Sequence, residues 1–295
     1  MGRLTLSLLL TLALSFKFDA FAAEPSDTVS KIKQSGVITL GVRESSVPFS
    51  FVEAGQSQAK GYAVELCMRV VDTIRKELKL PKLEVKQVVV KPADRIPKLL
   101  DGTIDLECGS TTNTVARQEQ VAFSLTTFMT GTRFLIKKSS GIKSFEELKG
   151  KTIVTTAGTN NEKIVTKFVW DQALGATMKS VKDHAEAFSM VKSGQATAFA
   201  MDDVLLAGLK SKSGAPDEYE IIGTYLSIDP YALMLRKNDA AFMTLVDSTL
   251  TEIFHSGELA KTYAKWFVTK ELDFPMPRLM KEAIKVPTKE PAWPK

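Results

Sequence analysis

The stretch G-T-I-D-L-E-C-G-S-T-T-N-T-V-A-R, from Gly102 to Arg117, defines the architecture of this chain better than any other. A helical pattern ends at Gly102, a short apolar strand follows, and the strand leads directly into the polar residues Ser110 to Asn113. Hydroxyls and free backbone N–H groups at a strand end, with Arg117 nearby, suit a small carboxylate, because the planar guanidinium can bind two oxygens at once. The stretch contains neither a nucleophile–base pair nor a metal-ligand cluster, so it predicts a binding site and not a catalytic one.

A second stretch repeats this spacing. G-Q-A-T-A-F-A-M-D, from Gly194 to Asp202, again places a helix end, a short strand and a polar residue in the same order. Ligands of open α/β sheets bind at the carboxyl ends of the strands. Two such units that face each other predict a cleft, although helix-glycine-strand units are common and the match could be coincidental.

Strand and helix patterns alternate along most of the chain. The expected strands are 37–42, 83–90, 103–106, 134–137, 152–155, 178–181, 198–200 and 231–236. The expected helices are 27–34, 62–80, 93–100, a short helix opened by a capping box of Ser144 and Glu147, a helix from the loop 156–161 through 170, 184–192, 204–209, 240–255 and 258–266. This alternation predicts the α/β class with mostly parallel sheets, and the Pro- and Lys-rich end after Pro275 should either wrap the surface or fray.

The chain has 295 residues, which is enough for two domains. Its first 22 residues read as a signal peptide: Arg3 is basic, Leu4 to Phe16 is an apolar run too short to span a bilayer, and Ala20-Phe21-Ala22 fits the small-x-small rule. We expect cleavage after Ala22, with Ala23 as the alternative. The cleavage site carries no cysteine, which argues against a lipid anchor. The mature protein should therefore be soluble and periplasmic.

The charge distribution argues against nucleic acid as a partner. Removing residues 1–22 deletes two cations and one anion, which lowers the formal net charge from +5 to +4. Lys and Arg are spread along the chain, whereas a nucleic-acid site needs a basic stripe with interleaved aromatic residues.

The cysteine count allows a single pairing. An even number of cysteines in an exported protein favours a disulfide, here between Cys67 and Cys108. In the chain-entropy model a loop of this size is worth roughly 4 kcal/mol. Two buried thiols are the alternative.

The polar residues at predicted strand ends form a coherent set. Arg117, with Ser110 and Thr112, is our candidate for binding an α-carboxylate, the alternative being an exposed helical arginine. Asp202 follows an apolar strand and would pair with an ammonium group, the alternative being a helix N-cap. Asp203 is the better cap, which leaves Asp202 available.

Further candidates predict a second bound anion. Arg43, Arg95 and His184 each lie beside a predicted strand end, and each alone is weak evidence. Glu65 and Glu107 could form a carboxylate pair, but ordinary structure explains both. The chain lacks the common hydrolase, zinc-protease, P-loop and dinucleotide motifs, so we expect no enzyme activity, no metal and no cofactor.

At these residues the chain resembles the periplasmic glutamate/aspartate-binding proteins, the two-lobed, type II solute-binding components of ABC transporters. The resemblance covers about Val29 to Trp266. Its motifs are V-R-E-S-S-V-P-F-S at 42–50, D-R-I-P-K-L at 94–99, E-C-G-S-T-T-N at 107–113, L-K-G-K-T-I-V at 148–154, K-D-H at 182–184 and M-D-D-V-L-L-A-G at 201–208. The runs at 42–50 and 107–113 are the most specific to acidic amino acids.

The resemblance implies roles for the candidate residues. Arg117, Ser110 and Thr112 would hold the α-carboxylate, Asp202 would hold the α-amino group, and the remaining cationic candidates would surround the side-chain carboxylate. Thr159 and Asn160, in the loop T-A-G-T-N-N, join the expected ligand-binding set. This chain departs from the family pattern with Val42 for His, Pro92 for Ser and Asn160 for Thr, and Pro92 removes one donor to the side-chain carboxylate.

The resemblance also implies an architecture and a function. Lobe 1 would comprise residues 23–130 and 228–295, lobe 2 residues 131–227, with crossover strands near 127–133 and 225–231. The protein would be a monomeric receptor for L-glutamate and L-aspartate that delivers its ligand to a membrane ABC permease. The alternatives are another ligand, such as glutamine or a small dicarboxylate, a sensor partner, or a dehydratase-like enzyme on the same fold.

Overall fold

The structure is a computed structural model that describes residues 27–293, so the predicted signal peptide at 1–22 lies outside the described residues. The helices are α1 (Thr28–Ser35), α2 (Tyr62–Glu77), α3 (Arg95–Leu100), α4 (Val115–Gln118), α5 (Asn160–Asp171), α6 (His184–Ser193), α7 (Asp203–Ser211), α8 (Ala240–His255), α9 (Glu258–Phe267) and α10 (Arg278–Lys285). The strands are β1 (Val37–Val42), β2 (Ser45–Ser46), β3 (Ser50–Val52), β4 (Ala59–Lys60), β5 (Glu84–Val89), β6 (Leu106–Glu107), β7 (Ala122–Phe123), β8 (Phe128–Thr130), β9 (Thr132–Lys137), β10 (Thr152–Thr156), β11 (Thr177–Val181), β12 (Ala198–Asp202), β13 (Tyr219–Ile222), β14 (Asp229–Tyr231) and β15 (Met234–Leu235). Short 3₁₀ helices cover Lys138–Ser140, Glu146–Leu148 and Pro216–Glu218.

The first lobe is built on a sheet with the order β5-β1-β6-β15-β7. β1 pairs in parallel with β5 and β6, and β15 is antiparallel to β6 and β7. Helix α2 packs on β1 and α8 through the apolar face expected from its 3.6-residue spacing. It ends at Glu77, before the predicted Leu80, because Lys79 takes a left-handed φ of 56° and Pro81 cannot continue a helix.

The second lobe repeats this plan in the order β11-β10-β12-β9-β13. β10 pairs in parallel with β11 and β12, and β9 is antiparallel to β12 and β13. Strands β6 and β12 therefore hold the same position, next to the middle strand of the parallel trio. The two similar sequence stretches that contain these strands occupy equivalent places in the two sheets.

Two strands connect the lobes. β8 and β14 pair antiparallel, with Asp229 opposite Thr130 and Tyr231 opposite Phe128, which confirms the expected crossovers. β14 does not continue to Arg236 as predicted, because the chain changes sheets: Tyr231 pairs with the crossover and Met234 joins the sheet of lobe 1. The domain limits at 130/131 and 227/228 stay a prediction.

The C-terminal segment wraps lobe 1 after α10. The amide of Thr126 donates to the carbonyl of Thr288 (2.9 Å), and the amide of Ala292 donates to the carbonyl of Asn113 (2.8 Å). Trp293 then pairs with Ile228 beside β14. Of the two expectations for this segment, wrapping is correct.

A disulfide fastens α2 to the end of β6. Cys67 and Cys108 are bonded to each other and fully buried, which confirms the predicted bridge. The capping box predicted for Ser144 and Glu147 is wrong: Glu147 accepts the amide of Lys143 instead (3.0 Å), and the helix there is only a 3₁₀ turn. Within residues 27–293, no helix combines the length and the apolar character needed to cross a bilayer.

Candidate ligand-binding site

A small cavity lies between the two lobes, at the carboxyl ends of the parallel strands. Its lining includes every residue predicted from the sequence to bind ligand: Arg43, Arg95, Ser110, Thr112, Arg117, Thr159, Asn160, His184 and Asp202. Asn161, Met201 and Leu205 complete the lining. Residues more than 150 positions apart in sequence therefore meet at one place.

Arg43 is the least satisfied member of this set. It follows β1, is 1% exposed, and none of its guanidinium nitrogens has a hydrogen-bond partner among the described residues. The nearest carboxylate oxygen, Oδ2 of Asp183, lies 3.7 Å from Nη2. Burial and the neighbouring charge of Arg95 lower the pKa of Arg43 to about 10, so it remains a cation at neutral pH. A buried cation whose N–H groups make no hydrogen bonds is costly, and an anion in the cavity would relieve that cost.

Arg95 and Arg117 are held by lobe 1 in fixed orientations. Arg95, at the start of α3, donates through Nε to the carbonyl of Pro92 (3.1 Å) and through Nη1 to Thr111 Oγ1 and the carbonyl of Ser110. Arg117, on α4, donates through Nη1 to the carbonyl of Thr112 (2.7 Å). The hydroxyl of Thr114 caps α4 at the Arg117 amide. Burial lowers the pKa of both arginines, and for Arg117 the charge of Arg95 adds to the effect.

Asp202 is the acidic member of the cavity and belongs to lobe 2. It occupies the N-cap position of α7, but its side chain makes no cap hydrogen bond. Its carboxylate instead accepts Nδ2 of Asn161 (2.8 Å) and the hydroxyl of Tyr231. Burial, together with the nearby Asp229, raises the pKa of Asp202 well above its ordinary value. The expectation that Asp202 does not act as a cap is therefore correct.

Asp203 has a different role from the one predicted. It is the first residue of α7 and not its cap. Its carboxylate accepts the hydroxyls of Thr130 (2.6 Å) and Tyr225 on the two crossover segments. These hydrogen bonds attach α7 to the crossover segments.

The remaining lobe 2 candidates are partly committed to protein contacts. His184 begins α6, is 1% exposed, and forms a hydrogen bond between Nδ1 and Thr156 Oγ1 (2.9 Å). Burial and the charge of Arg43 lower its pKa well below the usual value, so the ring is neutral near pH 7. Thr159 caps α5, and its hydroxyl donates to the carbonyl of Thr156 (2.7 Å). Asn160 donates to Asp229 (2.7 Å).

Direct contacts join the lobes across the cavity. Ser45 donates to Asp183, and Arg117 Nη2 donates to the carbonyl of Gly158 (3.1 Å). A Cβ on Gly158 would lie 2.7 Å from Ala93 Cα, and one on Gly208 would overlap the carbonyl of Val47. Glycine thus permits close approach of the two lobes at these two points.

Sequence reasoning assigned no role to three buried polar residues that lie near the charged groups of the cavity. Glu107, Thr111 and Asp229 are buried polar groups close to the arginines or to Asp202. Thr111 carried a signal, since it belongs to the polar run after β6. Asp229 precedes a proline, which reads as an ordinary turn, and its importance comes only from the crossover that carries it. The suggested Glu65–Glu107 pair is absent, because Glu65 accepts Nζ of Lys265 and Nε1 of Trp266 (2.8 Å).

The cavity offers three guanidinium groups from lobe 1 and a carboxyl from lobe 2. Such an arrangement suits a small zwitterion with an additional anionic group. Within the described residues no cluster of His, Cys, Asp and Glu could hold a metal ion.

Comparison with known proteins identifies the family. Residues 38–269 match the family model of bacterial extracellular solute-binding proteins, family 3. The chain is 44% identical over 277 residues to an L-glutamate/L-aspartate-binding protein of Pseudomonas aeruginosa, which covers 92% of each chain. It is 45% identical over 246 residues to a glutamate/aspartate import solute-binding protein of Salmonella typhimurium, covering 83% of this chain and 81% of the relative.

A solved structure extends the comparison to the fold. The crystal structure of the ancestral amino acid-binding protein AncCDT-1, described as a precursor of cyclohexadienyl dehydratase, superposes with a TM-score of 0.69. It is 25% identical and covers 82% of this chain and 99% of that one. With its two lobes, its crossover strands and an extensive match to the family model, the chain belongs to the bacterial extracellular solute-binding proteins of family 3 and has their type II two-lobed fold.

Proposed function

We propose that this protein is a periplasmic receptor that binds L-glutamate and L-aspartate between its lobes and delivers them to a membrane ABC permease. The observation that carries the proposal is Arg43, a buried guanidinium without a hydrogen-bond partner among the described residues, directed at a cavity that already contains two other arginines. A neutral side chain in the ligand would bring no anion to Arg43, whereas a carboxylate would supply both a negative charge and hydrogen-bond acceptors.

The other residues have matching roles in this proposal. Arg117 binds the α-carboxylate, with Ser110 and Thr112 beside it, and Asp202 binds the α-ammonium. Arg43 and Arg95 bind the side-chain carboxylate, with neutral His184 as a hydrogen-bonding neighbour. Thr159 and Asn160 shape the wall, since their side chains are engaged with the backbone of Thr156 and with Asp229.

Transport, rather than catalysis, is the second part of the proposal. The two relatives compared above are named for glutamate and aspartate binding or import. We infer that the mature protein, without residues 1–22, acts as a monomer in the periplasm and that the closed lobes form the surface read by the permease. For a ligand of about ten heavy atoms, roughly −0.8 to −1 kcal/mol per atom corresponds to an affinity of micromolar or better.

Calorimetry on the mature protein tests the ligand. The protein is unfolded, dialysed and refolded to remove any ligand that co-purifies, then titrated with glutamate, aspartate, glutamine and asparagine. We expect glutamate to bind at least about tenfold more tightly than glutamine, which is about 1.4 kcal/mol. Arg43→Met should narrow this gap more than it weakens glutamine binding. Arg69→Met, a change at an exposed arginine on α2, is the matched control. Equal affinities for glutamate and glutamine in the parent protein would refute the proposal.

An enzymatic role is the second candidate, because AncCDT-1 is described as a precursor of a dehydratase. A dehydratase would need a carboxylic acid placed against a leaving group. Asp202 has a raised pKa, but its oxygens are engaged by Asn161 and Tyr231. Incubation with cyclic hydroxy acids, followed by mass spectrometry, separates the two: product formation by the protein and its loss in Asp202→Asn would favour catalysis.

A further inference from the structure

Glu107 is a buried carboxylate that the proposed ligand does not contact. It ends β6 and has no solvent exposure. Its Oε2 accepts the hydroxyl of Thr111 (2.6 Å), and Oε1 has no hydrogen-bond partner among the described residues. Because an ionised carboxylate in a dry interior is costly unless positive charge lies nearby, its surroundings need an explanation.

The positive charge comes from the arginines of the cavity. Arg95 donates to Thr111 Oγ1, and the same hydroxyl donates to Glu107, so one side chain connects the cation to the anion. Burial lowers the pKa of Arg43, Arg95 and Arg117, and the negative charge of Glu107 opposes that lowering in each of the three. Among the groups that raise these pKa values, Glu107 is the carboxylate shared by all three arginines.

Gly109 leaves room for the side chains of both Glu107 and Arg43. A Cβ at this position would overlap Oε1 of Glu107 and lie 2.9 Å from Cγ of Arg43. Gly109 is not among the glycines with positive φ, so its backbone does not demand glycine. Glycine is needed here to leave space, because the side chains of Glu107 and Arg43 both pack against its Cα.

The charges in the cavity then match one kind of ligand. In the proposed function Arg117 pairs with the α-carboxylate and Asp202 with the α-ammonium, which leaves Arg43 and Arg95 against the ligand side chain. Glu107 offsets one of these two positive charges. Asp183, on lobe 2, lies 3.7 Å from Arg43 Nη2, but it also bonds to Ser45 and is shared with Lys91 (3.5 Å), which pairs with Glu44 as well. Within lobe 1, Arg43, Arg95 and Glu107 together leave one positive charge towards the ligand side chain, which suits a single carboxylate.

We propose that Glu107, held by Thr111 and admitted by Gly109, sets the ligand specificity of the cavity as an internal counter-anion to Arg43 and Arg95. This inference rests on the proposed function. Glu107 is a positioning residue, since it acts on the ligand through the two arginines.

The test is the ratio of glutamate affinity to glutamine affinity, the acid-to-amide ratio, measured by calorimetry. Glu107→Gln removes the lobe 1 carboxylate that offsets Arg43 and Arg95, so glutamate should gain affinity relative to glutamine and the ratio should rise about tenfold. Glu107→Asp keeps the charge and should bring the ratio back towards that of the parent. Glu65→Gln removes a carboxylate of the same lobe that does not line the cavity, and it should leave the ratio unchanged.

Thr111→Val covers the case in which Glu107→Gln does not fold. This change removes the hydroxyl that bonds to the Glu107 carboxylate but keeps the charge of Glu107. We expect it to raise the acid-to-amide ratio by about twofold. A ratio within experimental error of the parent in Glu107→Gln, or in Thr111→Val where the first variant is unfolded, overturns the inference. If the parent itself fails to prefer glutamate, the proposed function fails instead, so the two failures are distinguishable.

Discussion

The two lobes use one scaffold to present opposite charges. In each sheet a parallel trio lies beside an antiparallel strand, and the cavity sits where β6 in lobe 1 and β12 in lobe 2 end. Lobe 1 presents buried guanidinium groups, whereas lobe 2 presents Asp202 and neutral His184. The fold therefore fixes where a ligand binds, and the residues after the strand ends decide which ligand it is.

This difference suggests a division of labour during binding. In the proposed function, the arginines of lobe 1 hold both carboxylates of an acidic amino acid. Asp202 of lobe 2, whose partner Tyr231 belongs to the crossover strand β14, then provides the proposed contact to the ammonium. Closure should therefore follow recognition of the anionic groups, and changes in the two lobes should have different consequences.

The largest expected effect comes from lobe 1. Arg117→Ala should abolish detectable binding of every amino acid, because the α-carboxylate loses a desolvated charge-assisted pair worth roughly 2–5 kcal/mol. Calorimetry with glutamate, aspartate and glutamine checks this, with Arg69→Ala as the control. An affinity close to that of the parent would remove Arg117 from the site.

The corresponding change in lobe 2 should be smaller and less selective. Asp202→Asn removes the charged partner of the ammonium, and hydrogen bonds to charged groups contribute roughly 1.5–3 kcal/mol. Because every amino acid carries this ammonium, affinities for glutamate and glutamine should fall by similar factors. The acid-to-amide ratio should stay the same, in contrast to Arg43→Met. A selective loss of glutamate would assign Asp202 to the side-chain end.

A change at the contact between the lobes should weaken binding without touching the ligand. Gly208 lies inside α7, where a Cβ would overlap the carbonyl of Val47 on the other lobe. Gly208→Ala should keep or raise the stability of the unliganded protein, since alanine favours a helix by about 1 kcal/mol over glycine. It should also lower the affinity for all ligands by about fivefold to tenfold, because the closed form becomes less populated.

Thermal unfolding and calorimetry together check this prediction. Lys210→Ala, in the same helix, is the control and should change neither quantity appreciably. Unchanged affinity in Gly208→Ala would show that the lobes can close without this contact.

The sequence predicted what depends on local pattern. Strand ends and the polar residues after them are readable along the chain, and the edge rule for α/β sheets brought Arg43, Arg117 and Asp202 together correctly. Glu107 and Asp229 could not be assigned in this way, because their environment exists only in three dimensions. Glu107 lies on a strand that reads as ordinary core, and the space that admits it comes from Gly109.

Helix ends were a second source of error. Asp203 has the right residue type for an N-cap, yet it is the first residue of α7, and its carboxylate accepts hydroxyls of the crossover segments in addition to the amide of Val204. The pairing of Ser144 with Glu147 is wrong for a local reason, since Glu147 accepts the amide of Lys143 and the helix is only a 3₁₀ turn. Capping rules describe a helix by itself, and tertiary partners override them where the helix end is buried or the turn is short.

The smallest expected effect is the dependence of affinity on pH, and it distinguishes His184 from the carboxyl pair of Asp202 and Asp229. His184 would strengthen binding at pH 6 relative to pH 8 only if its pKa were near 6.5, but burial and Arg43 lower that pKa well below this value. Burial raises the pKa of Asp202 and of Asp229, with their mutual repulsion contributing at Asp202. Without ligand, this carboxyl pair therefore retains a proton to a higher pH than an ordinary aspartate does.

An ammonium group needs the ionised carboxylate, so ligand binding must displace that proton. The free protein then binds more protons than the complex, and affinity should fall as the pH is lowered. We expect a loss of about threefold to tenfold between pH 8 and pH 5, a factor of ten corresponding to one pKa unit. Calorimetry in buffers of different ionisation enthalpy should show proton release. Asp229→Asn removes one charge that raises the pKa of Asp202, so affinity should depend less on pH in this variant. Tighter binding at pH 6 than at pH 8 in the parent would contradict the prediction and would indicate that protonation of His184 controls the affinity.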